Sequence, residues 1–258
     1  MIIPFFKYNG TGNDFIMIDN RELHFDASNQ TLIESLCQRH FGIGADGLIL
    51  LEHHPDYDFK MVYFNSDGNE SSMCGNGGRC IIQFAHDLKI IQEKTSFIAI
   101  DGPHDGIVLK DRISLQMQNV TSITQTEKYT ELNTGSPHYV EFMSEIPDNE
   151  FVPIARKIRQ NPPFDLEGIN VNFAKTIKDS IIMRTYERGV ENETLACGTG
   201  ATAVAIAAHK KGLISNTSIP VEVKGGHLTI DFESNNNQYS NIWLTGPATF
   251  VFEGKIEI

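Results

Sequence analysis

An internal repeat constrains this chain more than any other feature. At an offset of 123 residues Cys74 falls on Cys197, and with it Tyr63 on Tyr186, Asn69 on Asn192, Glu70 on Glu193, Gly75 on Gly198, Gly77 on Gly200 and His86 on His209. The same offset carries Thr11-Gly12 onto Thr134-Gly135. The interval is close to half of the 258 residues and far longer than a solenoid period, so it points to a duplicated domain. Two domains follow, expected at residues 1–119 and 120–245, each of ordinary size and able to bury its own core. Residues 246–258 are expected to pack back onto the first, and 121–129 to be a polar connector.

Within each half, short runs rich in branched and aromatic residues read as strands, among them 48–51, 59–64, 113–117, 181–186, 227–232 and 249–252. Ser66-Asp67-Gly68, Gly225-Gly226 and Gly246-Pro247 punctuate them as turns, and Ser234 to Asn237 reads as a surface loop. Four helices are expected: Ser28 to Phe41, Glu150 to Gln160, and one after each repeated cysteine. The last of these, around Ala201 to Ala208, is apolar on nearly every side, which requires burial all round. A curved sheet wrapped around a helix provides that burial. The fold class expected is α/β (α+β), with two pseudo-symmetric domains, each a curved, mostly antiparallel sheet or barrel around a central helix.

The formal charge of −12 argues against nucleic acid, whose phosphates need a basic face. No apolar run approaches the length of a membrane span, and no signal peptide is legible at Met1 to Lys7. A cytoplasmic address is therefore expected, where the four cysteines stay reduced. Cys37 and Cys80 read as small core residues, and the exposed-looking His53 and His54 as solvated. Cys74 and Cys80 lack metal-ligand spacing, and no lysine sits in a recognisable pyridoxal-attachment setting, so neither metal nor cofactor is implied.

Cys74 and Cys197 are different. Glycines follow each, and then an apolar helical run, which places each thiol at a loop-to-helix junction. The unsatisfied N–H groups and positive dipole end of a helix favour a thiolate, lowering its pKa below the usual value of about 8.5. Such a thiol can serve as a base near neutral pH, and the same N–H groups can bind a carboxylate. Two junctions acting on one carbon beside a carboxylate would invert it: one thiolate removes a proton while the other thiol delivers one to the opposite face. The enediolate between those steps would be held by N–H donors from both helix ends.

Five ordered motifs carry a resemblance to a known family. They are Tyr8 to Phe15; Phe64-Asn65-Ser66-Asp67-Gly68 leading into Cys74 to Cys80; Gly135-Ser136-Pro137-His138; Asn170-Val171-Asn172-Phe173; and Glu187-Arg188-Gly189 leading into Glu193 to Gly200. Together with Leu244 to Ala248, they closely resemble the signatures of the diaminopimelate epimerase family over essentially the whole chain. The resemblance implies two similar domains with the active site between them, a homodimer, and conversion of LL-2,6-diaminopimelate to the meso form without a cofactor. It implies Cys74 and Cys197 as the acid/base thiols. Asn13, Asn65, Asn170, Glu187 and Arg188 would hold the amino-acid substrate, with backbone donors from Gly75, Asn76, Gly198 and Thr199. His138 and Glu187 would tune proton affinities at the site.

Several alternatives stay open on the residues alone. Asn13 and Asn65 can simply shape turns, Glu187 and Arg188 can be ordinary surface charges, and His138 a structural histidine. Asn65 and Arg188 share the repeat register, so the halves are alike at the thiols and unlike there. Where the family commonly has Gly-Asn-Pro-His this chain has Ser136, and Gly47 stands where some members have glutamine. These departures bear on substrate choice. The competing functions are a cofactor-independent racemase of another amino acid, such as histidine, and a non-catalytic amino-acid-binding module. Phenazine-biosynthesis isomerases resemble the same fold but lack the thiol pair.

Overall fold

A computed structural model describes residues 2–257. The chain divides into two compact units, Met1–Leu115 with Gly246–Ile258, and Gln116–Thr245. The first unit opens with a hairpin, β1 (Ile2–Gly10) and β2 (Asn13–Asp19), then runs α1 (Gln30–Cys37), β3 (Gly47–Glu52), β4 (Lys60–Asn65), β5 (Glu70–Ser71), α2 (Gly75–Asp87), β6 (Lys94–Ala99), β7 (Gly102–Val108) and β8 (Ile113–Met117). Strand β2 runs parallel to β3, and β4 parallel to β6; the pairs β1–β2, β3–β4, β4–β5, β6–β7 and β7–β8 are antiparallel.

The second unit repeats this order. It contains β9 (Ile123–Gln125), β10 (Thr130–Asn133), β11 (Pro137–Phe142), α3 (Phe151–Arg159), β12 (Asn170–Ile177), β13 (Ser180–Glu187), β14 (Asn192–Thr194), α4 (Gly198–Lys210), β15 (Ser218–Val223), β16 (Gly226–Asn235) and β17 (Gln238–Gly246). Here β11–β12 and β13–β15 are the parallel pairs and the rest are antiparallel. The final strand, β18 (Thr249–Glu257), pairs with β1 in the first unit. It holds against β1 the place that β9 holds against β10.

Each sheet has a helix on both faces, and this explains its unbroken apolar strands. In β3, Leu48 and Leu50 join Ile33, Leu36 and Cys37 of α1 in one core. Their neighbour Ile49 faces α2, since a methyl placed on Gly77 would lie 3.1 Å from Ile49 Cδ1. In the second unit Phe151 and Ala155 of α3 pack on Val171, Phe173 and Tyr186. The inner helix α4 touches β10, β11, β12, β13, β15 and β16, and its run from Ala201 to Ala208 is wholly buried. Val204 and Ile206 there each contribute roughly 1.5–3 kcal/mol by leaving water, while the alanines let strands approach closely. The mixed α/β fold with a mostly antiparallel sheet around a central helix is thus what these patterns build.

Three local expectations need correction. Helix α1 is shorter than Ser28 to Phe41: Asn29 caps its start by accepting from Leu32 N at 3.1 Å. Its end is set by Gly44 N and Ala45 N, which fold back onto the carbonyls of Leu36 and Cys37. The connector 121–129 contains β9, because Ile123 and Gln125 find partners in Leu132 and Thr130. Ser234 and Asn235 still belong to β16, and the turn is only Asn236 and Asn237, both at positive φ (48° and 66°). That two-residue geometry matches the twist of a β-hairpin, and asparagine tolerates it.

Candidate functional site

The repeated cysteines occupy the same structural position. Cys74 is the N-cap of α2 (φ −99°, ψ 145°) and Cys197 the N-cap of α4 (φ −127°, ψ 111°). An N-cap side chain lies beside backbone N–H groups that the first turn leaves unsatisfied. Cys74 Sγ accepts from Gly77 N at 3.2 Å, and Cys197 Sγ lies 3.4 Å from Thr199 Oγ1. Cys37 and Cys80 are of another kind. Both are buried in apolar surroundings, and desolvation pushes each thiol up to about 12.

In the first unit a directed hydrogen-bond chain organises the start of α2. Asn13 Nδ2 donates to Asp46 Oδ2 at 3.0 Å, and Asn13 Oδ1 accepts from Asn76 Nδ2. Asn76 Oδ1 accepts from Arg79 Nη2 at 2.9 Å. A carboxylate only accepts and a guanidinium only donates, so the two ends determine how both amides point. Arg79 donates further to Thr11 Oγ1 (2.8 Å), Gly75 O (3.1 Å) and Pro247 O (3.4 Å). It is fully buried and meets no carboxylate among the described residues; desolvation brings its guanidinium down to about 10, so it stays charged at neutral pH. Arg39 anchors Asp46 at 2.6 Å and Asp14 at 2.7 Å, and Lys7 also pairs with Asp14.

Asn65 ends β4, and its backbone makes the turn: its N–H donates to Asn69 O and its carbonyl accepts from Gly68 N. Its side chain is half-buried. Gly47 stands opposite it in register. A Cβ at Gly47 would come within 2.5 Å of Phe64 O and 2.6 Å of the Tyr63 ring, so this backbone leaves no room for a larger residue here.

In the second unit Asn170 is the organiser. Its Nδ2 donates to Ser136 Oγ (2.8 Å) and Pro137 O (3.1 Å), while its Oδ1 accepts from Arg188 N (2.8 Å). Arg188 is exposed and donates to Glu167 O at 3.1 Å and Ser136 Oγ at 3.4 Å. Ser136 Oγ therefore accepts from two neighbours, and its own hydrogen is the donor it has left to offer. Glu187 accepts from Thr194 Oγ1 at 2.9 Å; burial pushes its carboxyl above the ordinary value, with the Thr194 bond opposing. His138 is fully buried, and burial, helped by the charge of Arg188, lowers its imidazole to about 3. It is neutral throughout the physiological range. Among the described residues no three His, Cys, Asp or Glu side chains gather as metal ligands do, and no helix is long and apolar enough to cross a membrane.

Sequence reasoning did not single out Arg79, Thr11, Asp46, Thr134, Thr185 or Thr202 as site builders. The repeat held the signal for some of them. Thr134 Oγ1 donates to Thr199 O at 2.8 Å, and its repeat mate Thr11 receives Arg79, so both buried threonines tether the first turn of an inner helix. Arg79 and Thr202 are also repeat mates, and each donates to the carbonyl of its helix's first residue: Arg79 to Gly75 and Thr202 to Gly198 (3.0 Å).

Solved structures define the class of fold first. A phenazine biosynthesis protein of the PhzF family from Bacillus anthracis matches with a TM-score of 0.76 at 15% identity, covering 100% of both chains. A hydroxyproline epimerase from Agrobacterium vitis matches with a TM-score of 0.71 at 14% identity, over 99% of this chain and 91% of that one. At such identities the likeness is one of fold alone. The sequence narrows it. The diaminopimelate epimerase family model matches residues 5–121 and 130–251. The diaminopimelate epimerase of Flavobacterium psychrophilum is 53% identical over 253 residues, 97% of this chain and 99% of that protein. That of Aquifex aeolicus is 37% identical over 98% of each. The chain belongs to the diaminopimelate epimerase family.

Proposed function

We propose that this chain converts LL-2,6-diaminopimelate to meso-2,6-diaminopimelate by proton transfer between two thiols. The observation that carries the reading is that Cys74 and Cys197 cap two equivalently placed helices, each with a glycine-containing first turn. The thiolate of one cysteine takes the α-proton, and the C–H electron pair passes into the carboxylate to form an enediolate. The thiol of the other cysteine returns a proton to the opposite face, inverting the centre. N–H groups of Gly75, Asn76, Gly198 and Thr199 lie in the two first turns and suit the developing negative charge. Glu187 and Arg188 carry the charges that match the ammonium and carboxylate at the distant end of the substrate. Asn13 and Asn65 complete the holding set. Asn170 acts by placing Ser136 and the Arg188 backbone, and His138, being neutral, modulates the site as a hydrogen-bonding group.

The enzyme is further proposed to be cytoplasmic, as befits biosynthesis of an amino acid, and to work as a homodimer. Phe250, Val251 and Phe252 of β18 stand 46%, 53% and 44% exposed in a row, an apolar strip that a second copy would cover. The test of activity is incubation of LL-diaminopimelate with the protein in deuterated water. Deuterium at the inverted α carbon of the meso product is expected, and Cys74→Ala or Cys197→Ala should abolish epimerisation. Exchange with histidine or another amino acid instead would favour the racemase reading. Undiminished turnover in either alanine variant would refute the two-thiol mechanism, and binding without any exchange would leave only an amino-acid-binding module.

A further inference from the structure

Asn172, in β12, belongs to a motif whose first asparagine organises Ser136 and Arg188, yet its own side chain does something separate. Its amide is wholly buried. Nδ2 lies 3.0 Å from Tyr139 O and 3.4 Å from Asn170 O, whereas Oδ1 accepts from Thr185 Oγ1 at 2.8 Å. Backbone carbonyls can only accept, so the atom facing them must be the NH2 group. That same NH2 lies 3.1 Å from His138 Nδ1. A group that can only donate requires a bare lone pair on Nδ1, and in a neutral imidazole the proton then sits on Nε2.

We propose that Asn172 is a positioning residue that locks His138 in the Nε2–H tautomer, so that the buried ring offers a hydrogen-bond donor of fixed direction. His138 Nε2 is buried and meets no hydrogen-bond partner among the described residues. A buried N–H without an acceptor is destabilising, so an acceptor delivered by a ligand recovers that cost on binding. The Asn172 amide that sets the tautomer is itself close to the reactive sulfur: a methyl carbon on Gly200 would lie 2.7 Å from Asn172 Oδ1 and 3.3 Å from Cys197 Sγ. Burial keeps the ring uncharged, so its use to the site lies in the direction of one N–H rather than in gaining a proton. The acceptor that fits is an anionic oxygen of the substrate. For that catalytic consequence, though not for the tautomer, the inference rests on the proposed epimerase reading.

The experiment is long-range 1H–15N NMR on the full-length 15N-labelled chain, with His138 assigned by loss of its signals in His138→Gln. A bare Nδ1 and a protonated Nε2 are expected from roughly pH 6 to 9; a protonated Nδ1 in that window overturns the proposal. In Asn172→Asp a carboxylate that only accepts replaces the donor, so Nδ1 should become protonated. Its kcat should fall on the order of 10- to 100-fold, with KM changed by no more than about threefold. A folded Asn172→Asp protein with the original tautomer, or with unchanged kcat, also overturns it. If that variant does not fold, the unmodified chain's spectrum decides alone. A spectrum as expected from a chain that does not act on diaminopimelate would count against the function and leave the tautomer lock standing.

Discussion

Replacing Gly200 by alanine sets two opposing effects against each other in the first turn of α4. Alanine is a better helix former, by up to about 1 kcal/mol in a helix interior and less at an end. Against that, the added methyl would stand 2.7 Å from Asn172 Oδ1, well inside a normal contact. Asn172 cannot give way cheaply, because it is buried and holds Thr185, Tyr139 and His138 at 2.8 to 3.1 Å. Overpacking of this kind costs about 1–3 kcal/mol, and a lost buried hydrogen bond adds about 1 kcal/mol. The clash should win, for a net loss of about 1–3 kcal/mol and a fall in Tm of roughly 3–10 °C in a chain of this size. Turnover should fall as well, since the same methyl lies 3.3 Å from the Cys197 sulfur. Thermal unfolding followed by circular dichroism, together with steady-state turnover, reads both. A Gly200→Ala protein with raised Tm and full activity would show that helix and amide are not held in this close approach.

Other consequences are equally direct. His138 is neutral in the folded state down to about pH 3, whereas its unfolded pKa is about 6.5, so the unfolded chain binds the extra proton and stability falls as pH drops below 6.5, by about 1.4 kcal/mol per unit. His138→Gln should remove one proton's worth of that slope in urea titrations at pH 6 and 5. Burial raises the Asp14 carboxyl, but Arg39 and Lys7 outweigh it and hold the group at about 2. Its contribution is therefore present above about pH 3.9 and lost as pH falls towards 2, and Asp14→Asn should flatten that part of the acid-unfolding curve. Arg79→Lys keeps a charge but cannot satisfy four acceptors in a planar fork, so a loss of about 1–3 kcal/mol in chemical denaturation is expected; unchanged stability would remove Arg79 from its organising role. Phe252→Glu should shift the sedimentation coefficient from dimer to monomer, and a monomeric unmodified chain would refute the proposed partner for β18.

Much of this was written locally in the chain. The two thiol settings were legible because a helix N-cap and its glycine turn are built by neighbouring residues, and the 123-residue repeat showed the same device twice. Burial of α4 was legible for the same reason, since a helix apolar on every side has no exposed solution. Strands such as β1, β6, β7, β10, β12, β15 and β17 are not legible in the sequence, the nine-residue β1 and β17 included, because what fixes them as strands is a neighbour to pair with.

The partners of the polar side chains were decided by tertiary structure. Asp46 meets Asn13 from 33 residues away and Arg79 meets Thr11 from 68, and nothing in the local pattern of either pair announces the other. The chain determined by itself which helix ends would bear sulfur, because dipoles, caps and glycine turns act within one turn of helix. Only the folded sheet could decide which way Asn13, Asn76, Asn170 and Asn172 point, because an amide takes its direction from the donors and acceptors that distant strands bring to it.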